Sequence, residues 1–250
     1  DVERSRGLGD VYKRQLDDSP SLKWSLINLG SSLNWYSKED TEKKIKAFLG
    51  NRFASGPSRE TEDFICGLAV DIPISVADIP DSFYTSNDGL RTLGCMGPRD
   101  SKIHDKIVAK LSSGDSRQRE ELISALRKSH EVSYEAIDKV LAYSDDQSST
   151  VRAYVASLLG DAGSERKSDQ QRLLHFIKDR DSLVQGAALG SLTKIKPTDE
   201  AVLMKIAEGL NGDKISVLYD STVKFFQETK PQNKKVIEAI KKSAPNIINW

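Results

Sequence analysis

Residues 151–163 read VRAYVASLLGDAG. The stretch is small, apolar and nearly free of reactive side chains. Val151, Val155, Ala156 and Leu159 recur at i, i+4, i+5 and i+8, the spacing of one helical face. A charge-poor helix of this kind needs neighbours on more than one side, so its counterparts should recur along the chain. Stepping by 33 residues from Leu159 meets Leu93, Leu126, Leu192 and Phe225, all large and apolar. A second column holds Leu122, Val155, Ala188 and Ser221, and a third Val151, Val184 and Val217. A fourth, half a period away, runs Ile107, Val140, Leu173, Ile206 and Ala239.

Each period divides into two amphipathic segments, A and B. The A segments are RQREELISALRKS, VRAYVASLLGDAG, SLVQGAALGSLTKI and SVLYDSTVKFFQET. The B segments begin at DSKIHDKIVAKLSS and continue through SYEAIDKVLAYSDD, SDQQRLLHFIKDRD, TDEAVLMKIAEGLN and PQNKKVIEAIKKSA. Ser133, Ser168 and Thr198 stand where B helices would be capped, and Pro231 suits a first helical position. Turns between segments carry Gly or Asp, as in SSGDS and NGDK. No segment sustains period-2 alternation, so the expected fold class is all-α. A single pair has too little apolar surface to bury alone, and stacking the pairs makes a continuous core. Gly160, Ala156, Ala188 and Gly186 are expected to let neighbouring A helices approach closely, at some cost in helix propensity.

Three regions follow. Residues 1–15, with GLGDVYKRQ resembling translated adapter sequence, are read as a non-native or disordered leader. Residues 16–81 are irregular helical repeats with a Pro-containing loop. Residues 82–250 hold the regular 33-residue repeats. In the irregular part, SLKWSLINLGSSLNWY with KEDTEKKIKAFLGN reads as one helix pair and SRETEDFICGLAV as a further A helix. Pro73 and Pro80 in DIPISVADIPDSF preclude a long helix there. An irregular connection with at most a short helical turn is expected, either a plain insertion or a binding loop.

Composition narrows the function. Thirty-seven basic and 37 acidic residues cancel, which removes the global positive field that nonspecific nucleic-acid binding needs. Nucleic acid is therefore disfavoured as a partner. Charged residues at 30% and aromatics at 7% suit a chain with much solvent-facing helix surface. No run is long and apolar enough for a membrane helix, and membrane insertion is not expected. Cys66 and Cys95 lie 29 positions apart, outside CxxC spacing, and read as buried small hydrophobes with one disulfide left open. With no visible signal peptide, the compartment stays unassigned, the cytoplasm being favoured over secretion.

Val151, Arg152, Val155, Ala156, Leu159 and Gly160 match the V-R-x-x-A-A-x-x-L-G pattern of HEAT repeats. The chain resembles that family, particularly the short bacterial kind related to phycobilisome-lyase repeats. The match is good once, fair at 184–195 and weak elsewhere. It covers about residues 82–245 well and 20–80 loosely. The resemblance implies a right-handed α-α superhelix, a HEAT-like solenoid of about six to seven helix pairs. It also implies an Asp–Arg ladder between repeats, here only partial. Arg119 and Arg152 are followed by Gln185 and Leu218, and the aspartate before helix A appears as Asp115 and Asp181 but is replaced by Ser148 and Lys214. Arg152 is accordingly read as an inter-repeat brace.

Lys106, Lys139, Arg172 and Lys205 form a further column, one per B helix, ending at Glu238. B helices line the concave side of HEAT-type solenoids, so the resemblance would place these four cations in a row along the inner surface. Such a row would attract a protein or acidic peptide. Catalytic constellations are missing from the sequence. The three histidines share no repeat position, and the lone His130-Glu131 pair falls short of the several such dipeptides in HEAT-like di-iron hydroxylases. Phosphate-binding glycine loops, HExxH and GxSxG are not found. Trp24, Trp35 and Trp250 lie far from the regular repeats, against the pattern of HEAT-like DNA glycosylases. The expected function is a non-catalytic interaction scaffold without a cofactor. The alternative is an accessory or lyase-type subunit, or the repeat segment of a larger enzyme.

Overall fold

A computed structural model describes residues 37–54, 56–67, 77, 79–96, 101–129 and 131–247. All regular structure among these residues is helical, as the periodicity predicts. The leader, the first expected helix of the irregular part and the three tryptophans lie outside the described residues. The chain divides into two compact units, with the boundary between Thr92 and Leu93.

The first unit contains α1 (Lys38–Ala54), α2 (Arg59–Gly67), a 3-10 turn (Asp81–Tyr84) and the start of α3 (Asn87–Met96). Leu49, Phe53, Ile65, Ile79, Phe83, Tyr84 and Leu90 are buried, and the Phe53 and Phe83 rings meet edge to face at 4.9 Å. The 3-10 turn is the short helical piece expected before the repeats. Arg91 donates through Nε to both Glu62 oxygens at 2.9 Å and through Nη2 to Asp88 at 2.5 Å, tying α3 to α2.

The second unit continues with α4 (Ser101–Leu111), α5 (Ser116–Lys128), α6 (Tyr134–Leu141), α7 (Ser149–Asp161), α8 (Lys167–Phe176), α9 (Ser182–Ile195), α10 (Glu200–Ala207), α11 (Val217–Thr229) and α12 (Lys234–Ser243). The A helices pack in sequence, α5 on α7, α7 on α9 and α9 on α11. The B helices form a second layer, with α4 on α6, α8 on α10 and α10 on α12. Each of α4, α6 and α8 also packs on the A helix that follows it. The opening stretch is the heart of this core: Val151, Val155, Ala156 and Leu159 on α7 are fully buried.

Caps differ in part from expectation. Ser133 caps α6 by accepting from the Ala136 N–H, as predicted. Helix α8, however, has Arg166 rather than Ser168 in its cap position, without a side-chain cap hydrogen bond, and α10 is capped by Asp199 rather than Thr198. Asn233 caps α12, so Pro231 precedes the helix. The Asp199 carboxylate accepts from both the Ala201 and Val202 amides, and the Asn233 side chain accepts from the Val236 amide, which a proline or the preceding threonine does not do there.

The period also slips at its end. The loop before α11 holds extra residues, so Thr222, rather than the half-buried Ser221, takes the buried position of Ala188, while Phe225 and Phe226 are both fully buried where Leu192 has its counterpart. Val217 is 49% exposed and Ile240, rather than Ala239, is fully buried. Glu238 is therefore not the continuation of the cation column.

Every described turn from an A to a B helix carries a left-handed residue: Glu131 at φ 56°, Gly163 at φ 60°, Lys196 at φ 52° and Lys230 at φ 46°. At the last two, the Lys196 N–H returns to the Leu192 carbonyl at 2.8 Å and that of Lys230 to Phe226 at 3.0 Å. Pro197 and Pro231 follow and prevent the helix from continuing. Glycine is the low-cost occupant of this conformation. Lys196→Gly should therefore raise stability by about 1 kcal/mol in urea denaturation; a loss of similar size would contradict the turn geometry.

Candidate functional site

The structure divides the predicted cation row. Lys106 on α4 is half-buried and already engaged. Lys139 on α6 lies 3.7 Å from Asp105 of the preceding B helix and 3.4 Å from Glu135 one turn back. Its charge is largely answered within the protein. Arg172 on α8 and Lys205 on α10 are exposed, and neither is ion-paired among the described residues. Lys205, His175 and Lys178 line a cleft of about 210 Å³ between α8 and α10, whose floor includes Leu174 and Ile177. Two carboxylates stand at its edge, Asp145 3.9 Å from His175 and Glu208 4.0 Å from Lys178, which leaves Lys205 as the cation of this cleft without an ion-pair partner among the described residues. This half of the row offers an anion an open, cation-lined surface.

Two other charged clusters are saturated from within. On the A layer, Asp161 accepts from Arg127 Nε at 2.8 Å and from the Lys194 ammonium, with Arg127 also stacked 5.0 Å from the Tyr154 ring. Arg127, Asp161 and Lys194 line a cleft of about 400 Å³ with Lys128 and Ser129. On the B layer, Asp169 is buried and accepts from Ser164 Oγ and from Arg166 Nε at 2.8 Å. Arg166 reaches Asp138 of α6 at 2.8 Å and lies 4.4 Å from the Tyr134 ring. The hydrogen bond to Asp138, reinforced by Asp169, raises the Arg166 pKa above its ordinary value. That cluster locks α8 onto α6 and has no open coordination for a ligand. In the A-layer cluster Lys128, Asp161 and Lys194 stand 33 residues apart, a column of alternating charge that the apolar columns leave unnoticed, whereas the B-layer cluster has no such spacing.

The brace role of Arg152 is borne out, with a different partner. Its guanidinium meets Asp179 in a bidentate pair at 2.8 and 2.9 Å and also donates to the Asp146 carbonyl at 2.8 Å. One period earlier Arg119 pairs with Asp146 at 2.8 Å and donates to the Gly114 carbonyl at 2.6 Å. Asp115 and Asp181 instead cap α5 and α9. The ladder thus runs through Asp146 and Asp179, themselves 33 apart, and ends where Gln185 replaces arginine and donates to the Asp179 carbonyl.

His104 is buried and His175 is exposed, while His130 lies outside the described residues. Among the described residues no cluster of His, Cys, Asp or Glu is arranged to hold a metal ion. No described helix is long and apolar enough to cross a membrane. The cysteines depart from expectation: Cys66 is exposed, Cys95 half-buried, and both are disulfide-bonded rather than inert buried thiols. A scan against protein-family models finds no match to this chain, and neither does a search of curated proteins.

Proposed function

We propose that the chain is a non-catalytic interaction scaffold of the HEAT-like solenoid type. Its B helices form the concave face of a right-handed superhelix of about six to seven pairs and receive an acidic segment of a protein partner. Sequential A-on-A packing supports the architecture, as do the B-on-B contacts α4–α6, α8–α10 and α10–α12 and the two-rung ladder that joins successive inter-pair loops. The observation that carries the function is the exposed, unpaired Arg172–Lys205 pair beside the cleft lined by His175 and Lys178. Affinity on such a surface comes from spread charge and shape complementarity rather than from one deep pocket.

The test uses an array of short peptides graded in Asp and Glu content, probed with the purified chain. Binding should rise with acidic content and fall with added salt. Arg172→Glu with Lys205→Glu should weaken it about tenfold or more, with the helical circular dichroism unchanged. Undiminished binding by that double variant would sink the proposal.

A further inference from the structure

Two consecutive A-to-B turns are built alike, and together they form a second cleft away from the cation row. Residues 196–199 read KPTD and residues 230–233 read KPQN. In each, a left-handed lysine ends the A helix, a buried proline follows, and an Asp or Asn caps the B helix. The two turns line one cleft of about 360 Å³, with Pro197, Pro231 and Leu203 as its apolar floor.

The fold demands the left-handed conformation at every A-to-B turn but does not demand lysine. Gly163 occupies the equivalent turn without strain. Glu131, the other non-glycine there, lines none of the described clefts. Residues held in this conformation against their preference concentrate where a surrounding structure uses the side chain. Both lysines are exposed, and neither is ion-paired among the described residues. The nearby carboxylates are committed elsewhere. Asp199 accepts from the Ala201 and Val202 amides, and Glu200 accepts from Asn233 Nδ2 at 2.9 Å and Lys235 at 3.0 Å. Those two donors hold Glu200 ionised, with its pKa below the usual carboxylate range. The cleft therefore presents two lysines without an ion-pair partner among the described residues, beside an apolar floor.

We propose that this cleft binds an acidic peptide segment of a partner protein, seating one apolar side chain on the Pro197–Leu203–Pro231 floor while its carboxylates meet Lys196 and Lys230. The apolar floor favours a peptide over a nucleic-acid strand, for which the net-neutral chain supplies no extended positive field. The cleft shares no lining residue with the one at His175, Lys178 and Lys205.

The experiment titrates the full chain with a fluorescent peptide alternating Glu and Leu, read by anisotropy. Gln/Leu and Glu/Ser peptides, inorganic phosphate and a single-stranded oligonucleotide serve as comparisons. Expected are salt-sensitive binding of the Glu/Leu peptide and about a tenfold loss in the Lys196→Gly, Lys230→Gly double variant. That variant should melt higher than the parent, since strain is relieved as the cations are lost. In the Arg172→Glu, Lys205→Glu background the two glycine substitutions should still cost about tenfold, which separates this cleft from the Arg172–Lys205 surface. The proposal is overturned if the glycine variant binds as well as the parent, or if the Gln/Leu peptide binds equally. It is also overturned if phosphate or the oligonucleotide displaces the peptide at comparable concentration, or if only the Arg172/Lys205 reversal abolishes binding.

Discussion

Arg152→Ala should destabilise the second unit by about 3 kcal/mol, the largest single effect expected from removing any one charge. The side chains of Arg152 and Asp179 are only 7% and 12% exposed, and the pair is bidentate. Removing the guanidinium leaves a nearly buried carboxylate without its cation and strips a donor from the Asp146 and Gln147 carbonyls. Leaving one partner of such a pair behind costs far more than the pair contributes against an apolar replacement. Arg152→Lys should recover only part of the loss, because an ammonium cannot span both carboxylate oxygens while holding two carbonyls. Urea denaturation followed by circular dichroism measures this, and a cost below about 1 kcal/mol would show that water replaces the brace. Arg119→Ala should cost less, since Arg119 holds Asp146 through Nε alone and is 19% exposed.

The pair also sets an acid limit. The hydrogen bonds from Arg152, aided by the Asp181 amide, hold the Asp179 pKa below the usual range of aspartate. A carboxylate whose folded pKa is depressed binds its proton less readily folded than unfolded. Its contribution is present above the unfolded value of about 4 and is lost as the pH falls through the lower folded value. Arg152→Ala should flatten that acid limb of the stability profile and leave the neutral plateau uniformly lower.

The ladder shows what periodicity reveals and what it hides. Arg152 and its repeat mate Arg119 were visible as a column, and so was a bracing role for Arg152. The family pattern places the acid partners immediately before the A helices, where Asp115 and Asp181 stand. Those carboxylates are shorter routes to helix amides and are consumed as caps. The actual partners, Asp146 and Asp179, are themselves one period apart and stand two residues before Ser148 and Asp181. Core positions were the most legible because burial imposes one residue class at each period; Leu93, Leu126, Leu159 and Leu192 are all fully buried. The last repeat was misaligned because an apolar residue stands on either side of the slip, so Phe225 and Phe226 satisfy either register. The cation row was only half legible. Sequence shows that Lys139 and Arg172 share a column, but not that Asp105 on the preceding helix neutralises one and leaves the other exposed. The cleft at Lys196 and Lys230 was invisible because its signal is a backbone angle.

Gly160→Ala should cost about 2 kcal/mol, whereas Gly186→Ala, also in the middle of an A helix, should stabilise by up to about 1 kcal/mol. Sequence reading assigns both glycines the same task, close approach of neighbouring A helices, and the structure separates them. A Cβ at Gly160 would sit 2.6 Å from the Cα of Ser191 on α9. A backbone atom cannot be turned aside, so α7 and α9 would have to move apart. That displacement would also strain the bond from Ser191 Oγ to the Ala156 carbonyl, 2.8 Å long and buried. Overpacking of this kind outweighs the roughly 1 kcal/mol that alanine gains over glycine in helix propensity. At Gly186 the nearest atom is Ser221 Oγ at 4.0 Å, an ordinary contact that leaves only the propensity gain. Urea midpoints of the two variants should therefore move in opposite directions. A shift of both to higher urea would mean that α7 and α9 tolerate wider spacing, and that the glycine in VRAYVASLLGDAG is dispensable to the stack.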